Sequence, residues 1–392
     1  MSGPSRETDA RFMQLAIRMA ERGLGTTSPN PSVGAVLVRF DLSADGVVVG
    51  RGYTQPGGRP HAETQALQAA GAAARGATLY VTLEPCAHHG KTPPCAEAVI
   101  AAGVSRVVVG IQDPDNRVSG RGLKTLREAG IQVALGIEEG ACRWLTIGHI
   151  LRVNRRRPFV QAKLAIGSNG LVPHGRNNAP VWVTGAVARA RSQLLRAEAD
   201  AIMVGIGTVL ADDPELTCRL PGMARRSPVR IVLDTRLRCP PCAKLVRTAR
   251  ITPTWIFCCR GVDAAKIQTL ESAGVRIFPI VDNGSTGPKE QTRPKDQLQK
   301  VWLSLATDGL TRLLVEGGPT LAHFLTHADL IDEYILFKGS RAIADSQGQA
   351  ISGIWGPEVL EQLKSGQIEI LGDDVAQFCS RWRRELFARQ LS

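Results

Sequence analysis

Apolar positions along the chain switch repeatedly between a helical and a strand period, and the switching lays out the elements. Phe12, Leu15, Ala16 and Met19 recur at helical spacing within residues 9 to 23, and Gly23 offers a stop. Apolar runs at residues 33 to 38 and 47 to 53 read as strands. An Ala-rich helix is predicted from His61 to Ala74. The run Thr78-Leu79-Tyr80-Val81-Thr82-Leu83 has a buried-strand pattern and delivers Glu84-Pro85-Cys86 at its carboxyl end. A helix at 95 to 102, a strand at 106 to 111, a helix at 123 to 129 and a strand at 131 to 135 follow. Strands alternating with helices imply a largely parallel sheet covered by helices, with ligand chemistry at the strands' carboxyl ends.

A second alternating series starts at Pro158. Its strands are predicted at residues 159 to 164, 201 to 206, 229 to 233, 254 to 258, 275 to 281, 312 to 315 and 334 to 337. Residues 282 to 300 hold Gly, Ser, Pro, Lys and Gln without a period and read mostly as a surface loop. At 392 residues the chain exceeds one ordinary core. Two domains are expected, at 1–152 and 158–392, with the basic run Arg152-Val153-Asn154-Arg155-Arg156-Arg157 as a solvated junction.

Composition narrows the class. Hydrophobic content of 43% with 21% charged residues describes a globular protein, and no apolar stretch is long enough to span a bilayer. Nine cysteines without a framework spacing favour a reducing, cytoplasmic setting. The net charge of +12 fits either an anionic partner or a solvated surface.

The chemistry concentrates in His61-Ala62-Glu63, Pro85-Cys86 and Cys95. One imidazole and two thiolates give a zinc ion three ligands and leave a fourth position for water, the pattern of a catalytic site. Such a zinc lowers the pKa of bound water to roughly 7. Glu63, predicted in the first helical turn, is then placed to move protons as in the nucleobase deaminases, where His-x-Glu precedes Pro-Cys. A closed structural zinc, with His88 or His89 as fourth ligand, is the other reading. The gap from Cys86 to Cys95 is longer than the usual deaminase spacing.

The run from Thr82 to Cys95, with Pro29-Asn30-Pro31-Ser32-Val33-Gly34, resembles the deaminase half of the bifunctional riboflavin-biosynthesis deaminase–reductases, in which the long Cys spacing is characteristic. The segments Leu194 to Gly205 and Thr208 to Arg219 resemble the reductase half from about Pro158 onward. The resemblance implies an α/β protein with an N-terminal cytidine-deaminase-like three-layer domain and a C-terminal dihydrofolate-reductase-like domain. It implies zinc at His61, Cys86 and Cys95, Glu63 as the catalytic group, and Asn30, His88 and Lys91 as substrate contacts, Lys91 through the phosphate. In the second half it implies a substrate site of Lys163, Arg196, Leu216, Arg219 and Glu316. NADPH contacts are implied at Ala165, Trp182, Thr208, Asp212, Thr235, Gly318, Pro319 and Thr320. Plain core packing is the other reading of Trp182 and Leu216. The expected partner is a small phosphorylated pyrimidine, without nucleic acid or membrane, on a homo-oligomer.

The chain departs from the family pattern at Gly167-Ser168-Asn169-Gly170-Leu171 and at Pro180, where the family has a Ser. These departures bear on reductase efficiency and on contacts near Asn169. An active deaminase with an impaired reductase half is therefore the alternative. An RNA base deaminase and a zinc-stabilised binding module are rival classes, the former disfavoured by Leu194 to Arg219. Cys239-Pro240-Pro241-Cys242 resembles a redox or zinc pair, but two prolines in an Arg-rich loop fit neither.

Overall fold

A computed structural model describes residues 4–88, 93–115, 119–173, 182–280, 294–344 and 348–382. Two compact units form: one from the described residues up to Arg157 together with Trp382, the other from Pro158 to Arg381.

In the first unit the elements are α1 (Arg6–Glu21), β1 (Gly34–Arg39), β2 (Val47–Tyr53), α2 (Ala62–Ala70), β3 (Thr78–Leu83), α3 (Cys95–Ala101), β4 (Arg106–Ile111), α4 (Arg121–Glu128), β5 (Gln132–Leu135) and α5 (Glu139–Arg155). The sheet order is β2-β1-β3-β4-β5. β3, β4 and β5 are parallel, while β1 runs antiparallel to both neighbours, so the sheet is mixed rather than largely parallel. β3 is buried along its whole length, which fixes the direction in which Glu84-Pro85-Cys86 leaves the sheet. α2 lies close against β2 because Gly50 and Gly52 face it. A Cβ there would stand 2.3 Å from Ala66 O and 2.4 Å from Ala62 O, inside any tolerable contact.

α5 takes up the expected junction. It runs through Arg152 to Arg155, so most of the basic run is helix rather than linker. Helical periodicity misses it because polar residues such as Thr146 and His149 are buried beside Leu145 and Leu151, leaving no clean apolar stripe.

The second unit contains β6 (Phe159–Ile166), β7 (Leu171–Pro173), α6 (Ala186–Glu198), β8 (Ala201–Gly205), α7 (Ile206–Asp212), β9 (Val229–Leu233), α8 (Lys244–Arg247), β10 (Thr254–Cys259), α9 (Ala264–Ser272), β11 (Arg276–Ile280), α10 (Pro294–Thr307), β12 (Arg312–Val315), α11 (Pro319–His327), β13 (Glu333–Lys338), β14 (Gly348–Ala350), α12 (Pro357–Lys364), β15 (Gln367–Leu371) and β16 (Asp374–Ser380). Its nine-stranded sheet has the order β11-β10-β9-β8-β12-β6-β13-β16-β15. The pairings from β11 to β13 are parallel, and β16 and β15 close the edge antiparallel. Part of the expected loop at 282 to 300 is helical, since α10 begins at Pro294 and buries Leu298, Val301 and Trp302. Residues 282–293 lie outside the described residues.

Candidate active sites

The first site grows from the end of β3 and the starts of α2 and α3. His61 is the extended residue that caps α2, and Glu63 sits in the first turn, 4% exposed. Cys86 follows β3 by three residues, and Cys95 opens α3. The three ligand atoms converge within 4.8 Å of one another. His61 Nδ1 is 3.3 Å from Cys95 Sγ and 3.7 Å from Cys86 Sγ. Tetrahedral zinc ligands at about 2.0–2.3 Å from the metal stand roughly 3.3–3.8 Å apart. The donor set and its spacing therefore fit zinc. No fourth His, Cys, Asp or Glu joins this cluster among the described residues, and His88 is exposed in the cavity wall.

Burial, with the Cys86 charge next in importance, pushes the Glu63 carboxyl up to about 7. A group in that range can both take and return a proton near neutrality. Hydrogen bonding from Cys95 holds Cys86 down at about 4, the thiolate form that a metal requires. Asn30 Nδ2 donates to Gly58 O at 2.8 Å and stands 3.5 Å from His61 Nε2, so it flanks the ligand ring as well as the cavity.

The cavity, about 130 Å³, is lined by Asn30, His61, Glu63, Cys86 and His88. Arg59, Asp113, Asp115, His149 and Arg152 also line it, and the sequence patterns do not mark them as site residues. Arg59 sits two residues before His61, so its nearness to the site was legible. The residues of α5 were not, because the helix itself was not. Lys91 lies outside the described residues.

The wall segment that carries Asp113 is held by one carboxylate. Glu84 Oε2 accepts from the Asp113 and Gly120 N–H groups at 3.2 and 2.9 Å, and Oε1 from the Leu123 N–H at 3.2 Å. Gly122 completes the seam, since a Cβ there would lie 2.1 Å from Pro85 O.

The second site gathers at the carboxyl side of β6, β8, β9 and β12. Lys163, Ala165, Trp182, Arg196, Arg219 and Glu316 line one cavity of about 350 Å³. Arg196 forms a two-pronged pair with Glu316, Nε to Oε1 and Nη2 to Oε2, both 2.9 Å. Its Nη1 donates to Thr217 O at 3.0 Å. Its fork therefore braces the site from within, whereas Arg219, with a side chain 48% exposed, has reach into solvent. Lys163 Nζ is 4.0 Å from Glu316 Oε2. Burial raises the Glu316 carboxyl, but the Arg196 and Lys163 charges outweigh it and hold the group down at about 2. Burial also lowers the Lys163 ammonium from its ordinary value.

Leu216 packs into the core at 3% exposure with φ of 55°, whereas Trp182 is 54% exposed under the Arg189 guanidinium. Core packing thus describes Leu216 and not Trp182. Thr208 Oγ1 accepts from the Gly318 N–H at 3.2 Å, joining the start of α7 to the turn before α11. Pro319 and Thr320 open α11 behind Gly318, and Thr235 follows β9. Asp212 Oδ1 is buried with no partner among the described residues. The α11 N-terminus suits a phosphate, and an unpaired carboxylate oxygen such as that of Asp212 suits a ribose hydroxyl, so the chemistry of these residues fits a dinucleotide. Asn169 instead serves the fold: its amide donates to Ile343 O at 2.7 Å and accepts from Ile343 N at 3.2 Å. Pro180 lies outside the described residues. Cys239 is buried and Cys242 exposed, and both are free.

Comparison with known proteins covers both units. Residues 6–111 match the family described as "Cytidine and deoxycytidylate deaminase zinc-binding region", and residues 158–376 match "RibD C-terminal domain". The chain is 38% identical over 381 residues to the Escherichia coli "Riboflavin biosynthesis protein RibD", covering 94% of this chain and 98% of that one. It is 36% identical to the Aquifex aeolicus protein of the same name, covering 96% and 99%. Among solved structures, Acinetobacter baumannii RibD superposes with a TM-score of 0.79 at 32% identity, over 96% of this chain and 99% of that chain. A Thermotoga maritima diaminohydroxyphosphoribosylaminopyrimidine deaminase/5-amino-6-(5-phosphoribosylamino)uracil reductase superposes with a TM-score of 0.78 at 30% identity, over 96% and 99%.

Proposed function

The chain belongs to the RibD family of riboflavin-biosynthesis proteins, and from that premise we propose how its two units divide the work. The protein is a bifunctional enzyme, a zinc hydrolase that deaminates and an NADPH-dependent oxidoreductase. The deaminase is the first unit and the reductase the second. The substrate is 2,5-diamino-6-ribosylamino-4(3H)-pyrimidinone 5′-phosphate. The second unit reduces the ribosyl group of the deaminated product to ribityl. The observation that carries this reading is the convergence of His61, Cys86 and Cys95 beside a buried Glu63.

His61, Cys86 and Cys95 would hold the zinc, which would supply an activated water as nucleophile at neutral pH. The Glu63 carboxylate takes one proton from the attacking water and passes it to a ring nitrogen; it then takes the second from the hydroxyl of the tetrahedral adduct and gives it to the amine, whose C–N bond breaks to release ammonia. Asn30 and His88 hold the pyrimidine in the cavity wall, and Lys91 holds the phosphate. In the second unit NADPH, when bound, would supply the hydride that reduces the ribosyl group, with the balancing proton from solvent. Lys163 and Arg219 present cationic donors to the substrate and Glu316 keeps Lys163 and Arg196 in register, while Leu216 shapes the floor from the core. Ala165, Trp182, Thr208, Asp212, Thr235 and Gly318 to Thr320 would hold the cofactor, the α11 N-terminus being suited to phosphate.

No helix among the described residues is long and apolar enough to cross a membrane. All nine cysteines are free, which supports a cytoplasmic setting. A homo-oligomer is part of the proposal, supported by the edge strand β15 with Ile368 and Ile370 exposed at 55% and 80%.

The test is to give purified protein the diaminopyrimidine with NADPH and follow ammonia and NADPH together. Both should change, in that order. In Glu63→Gln zinc should remain while ammonia release falls by about 10²–10⁴-fold. Ammonia without NADPH oxidation would return the deaminase-only alternative, and undiminished release in Glu63→Gln would overturn the mechanism.

A further inference from the structure

α5 carries two polar side chains that the fold buries without satisfying. Thr146 Oγ1 and His149 Nδ1, one helical turn apart, have no hydrogen-bond partner among the described residues. Their residues are 2% and 7% exposed. A histidine kept only for packing is expected to be bonded at both nitrogens, because an orphaned buried acceptor is costly. His149 has one partner among the described residues, the Asp113 carboxylate, with Nε2 3.5 Å from Oδ1. His149 and Asp113 line the first-unit cavity with His61 and Glu63.

Asp113 is fixed from the other side. Its N–H donates to Glu84 Oε2 at 3.2 Å, and its Oδ1 also accepts the Asp115 N–H at 2.8 Å. Two donors thus converge on Oδ1, and Oδ2 is left without a partner among the described residues, in the wall of the cavity. A carboxylate acceptor requires that the imidazole carry its proton on Nε2. At 3.5 Å the bond is long, as functional hydrogen bonds often are before substrate tightens them.

We propose that His149 is a positioning residue of the deaminase: its Nε2–H holds Asp113 Oδ1 so that Oδ2 accepts from a hydroxyl or amine of the bound substrate. This rests on the deaminase reading of the first unit. Orientation of a binding group acts equally on ground and transition states, so its loss raises KM and leaves kcat in place.

The experiment uses the full-length, zinc-loaded protein and ammonia release from the diaminopyrimidine phosphate. His149→Leu should raise KM about tenfold with kcat within twofold. Gln and Asn are both polar and small enough for the site, but only the Gln amide reaches the Nε2 position. His149→Gln should therefore restore KM, and His149→Asn should not. In an Asp113→Asn background His149→Leu should add little. Equal KM in the Gln and Asn variants, or an unchanged KM in the Leu variant, overturns the proposal. The Gln–Asn comparison decides it even if the Leu variant does not fold. Absence of wild-type ammonia release would instead sink the deaminase reading itself.

Discussion

At Glu316, burial and charge pull in opposite directions, and the result can be measured. The carboxylate is enclosed with Arg196 and Lys163 and held down at about 2. A depressed acid stabilises the fold above its ordinary value of 4.5, and that contribution disappears as pH falls from 4.5 through about 2. Glu316→Gln leaves two partly buried cations uncompensated. It should cost about 3–5 kcal/mol in urea unfolding of the reductase unit at pH 7, with a flatter acid limb below pH 4.5. A variant as stable as wild type at pH 7 would show that the cations relax into solvent. The same residue scale shows what the sequence could reveal. His61, Glu63, Cys86 and Cys95 were legible because a metal demands particular atoms at particular spacings. The sequence offers Arg196 as a candidate site residue but not its bonding, since only the fold shows its fork turned inward onto Glu316 and Thr217 O.

At the scale of elements, strands buried on both sides declared themselves as apolar runs, as β3, β4, β9 and β12 do. β15 and β16 were missed: β15 alternates Gln367, Ile368, Glu369 and Ile370 with both isoleucines turned to solvent, so it carries no core signal. α5 failed in the opposite sense, being buried over so much of its girth that no stripe stands out. The α2–β2 contact depends on glycine alone. Gly52→Ala places a methyl 2.4 Å from Ala62 O, between the ligand His61 and the acid Glu63. It should lift the start of α2, lowering zinc content measured by metal analysis and lowering the melting temperature, while NADPH oxidation by the second unit is retained. Full zinc occupancy in this variant would mean that the ligands are placed by β3 and α3 without α2.

For the whole molecule, the two cavities draw on separate residue sets, one within the first unit and one within Pro158–Arg381. Stripping zinc with a chelator should abolish ammonia release and leave NADPH oxidation by the deaminated pyrimidine unchanged, with zinc restoring the first. Loss of both on chelation would tie the reductase to the metal. The net charge of +12 does not locate either site. The second cavity sets Glu316 against Lys163 and Arg196 within a few ångströms, a local balance that bulk composition does not report.

Glu84 has a consequence for how this chain can change over evolution. It stands two residues before the ligand Cys86, yet its two oxygens anchor three N–H groups of the opposite segment. Metal and substrate wall are thus hung from one strand end. Surface loops ordinarily absorb insertions at little cost, but between Asp113 and Leu123 a change of length would pull at the same post that sets the metal. New substrate preferences in this lineage are therefore expected to arise by exchange of side chains on a frame of constant length, and libraries made by loop grafting there should yield far fewer active proteins than libraries made by substitution.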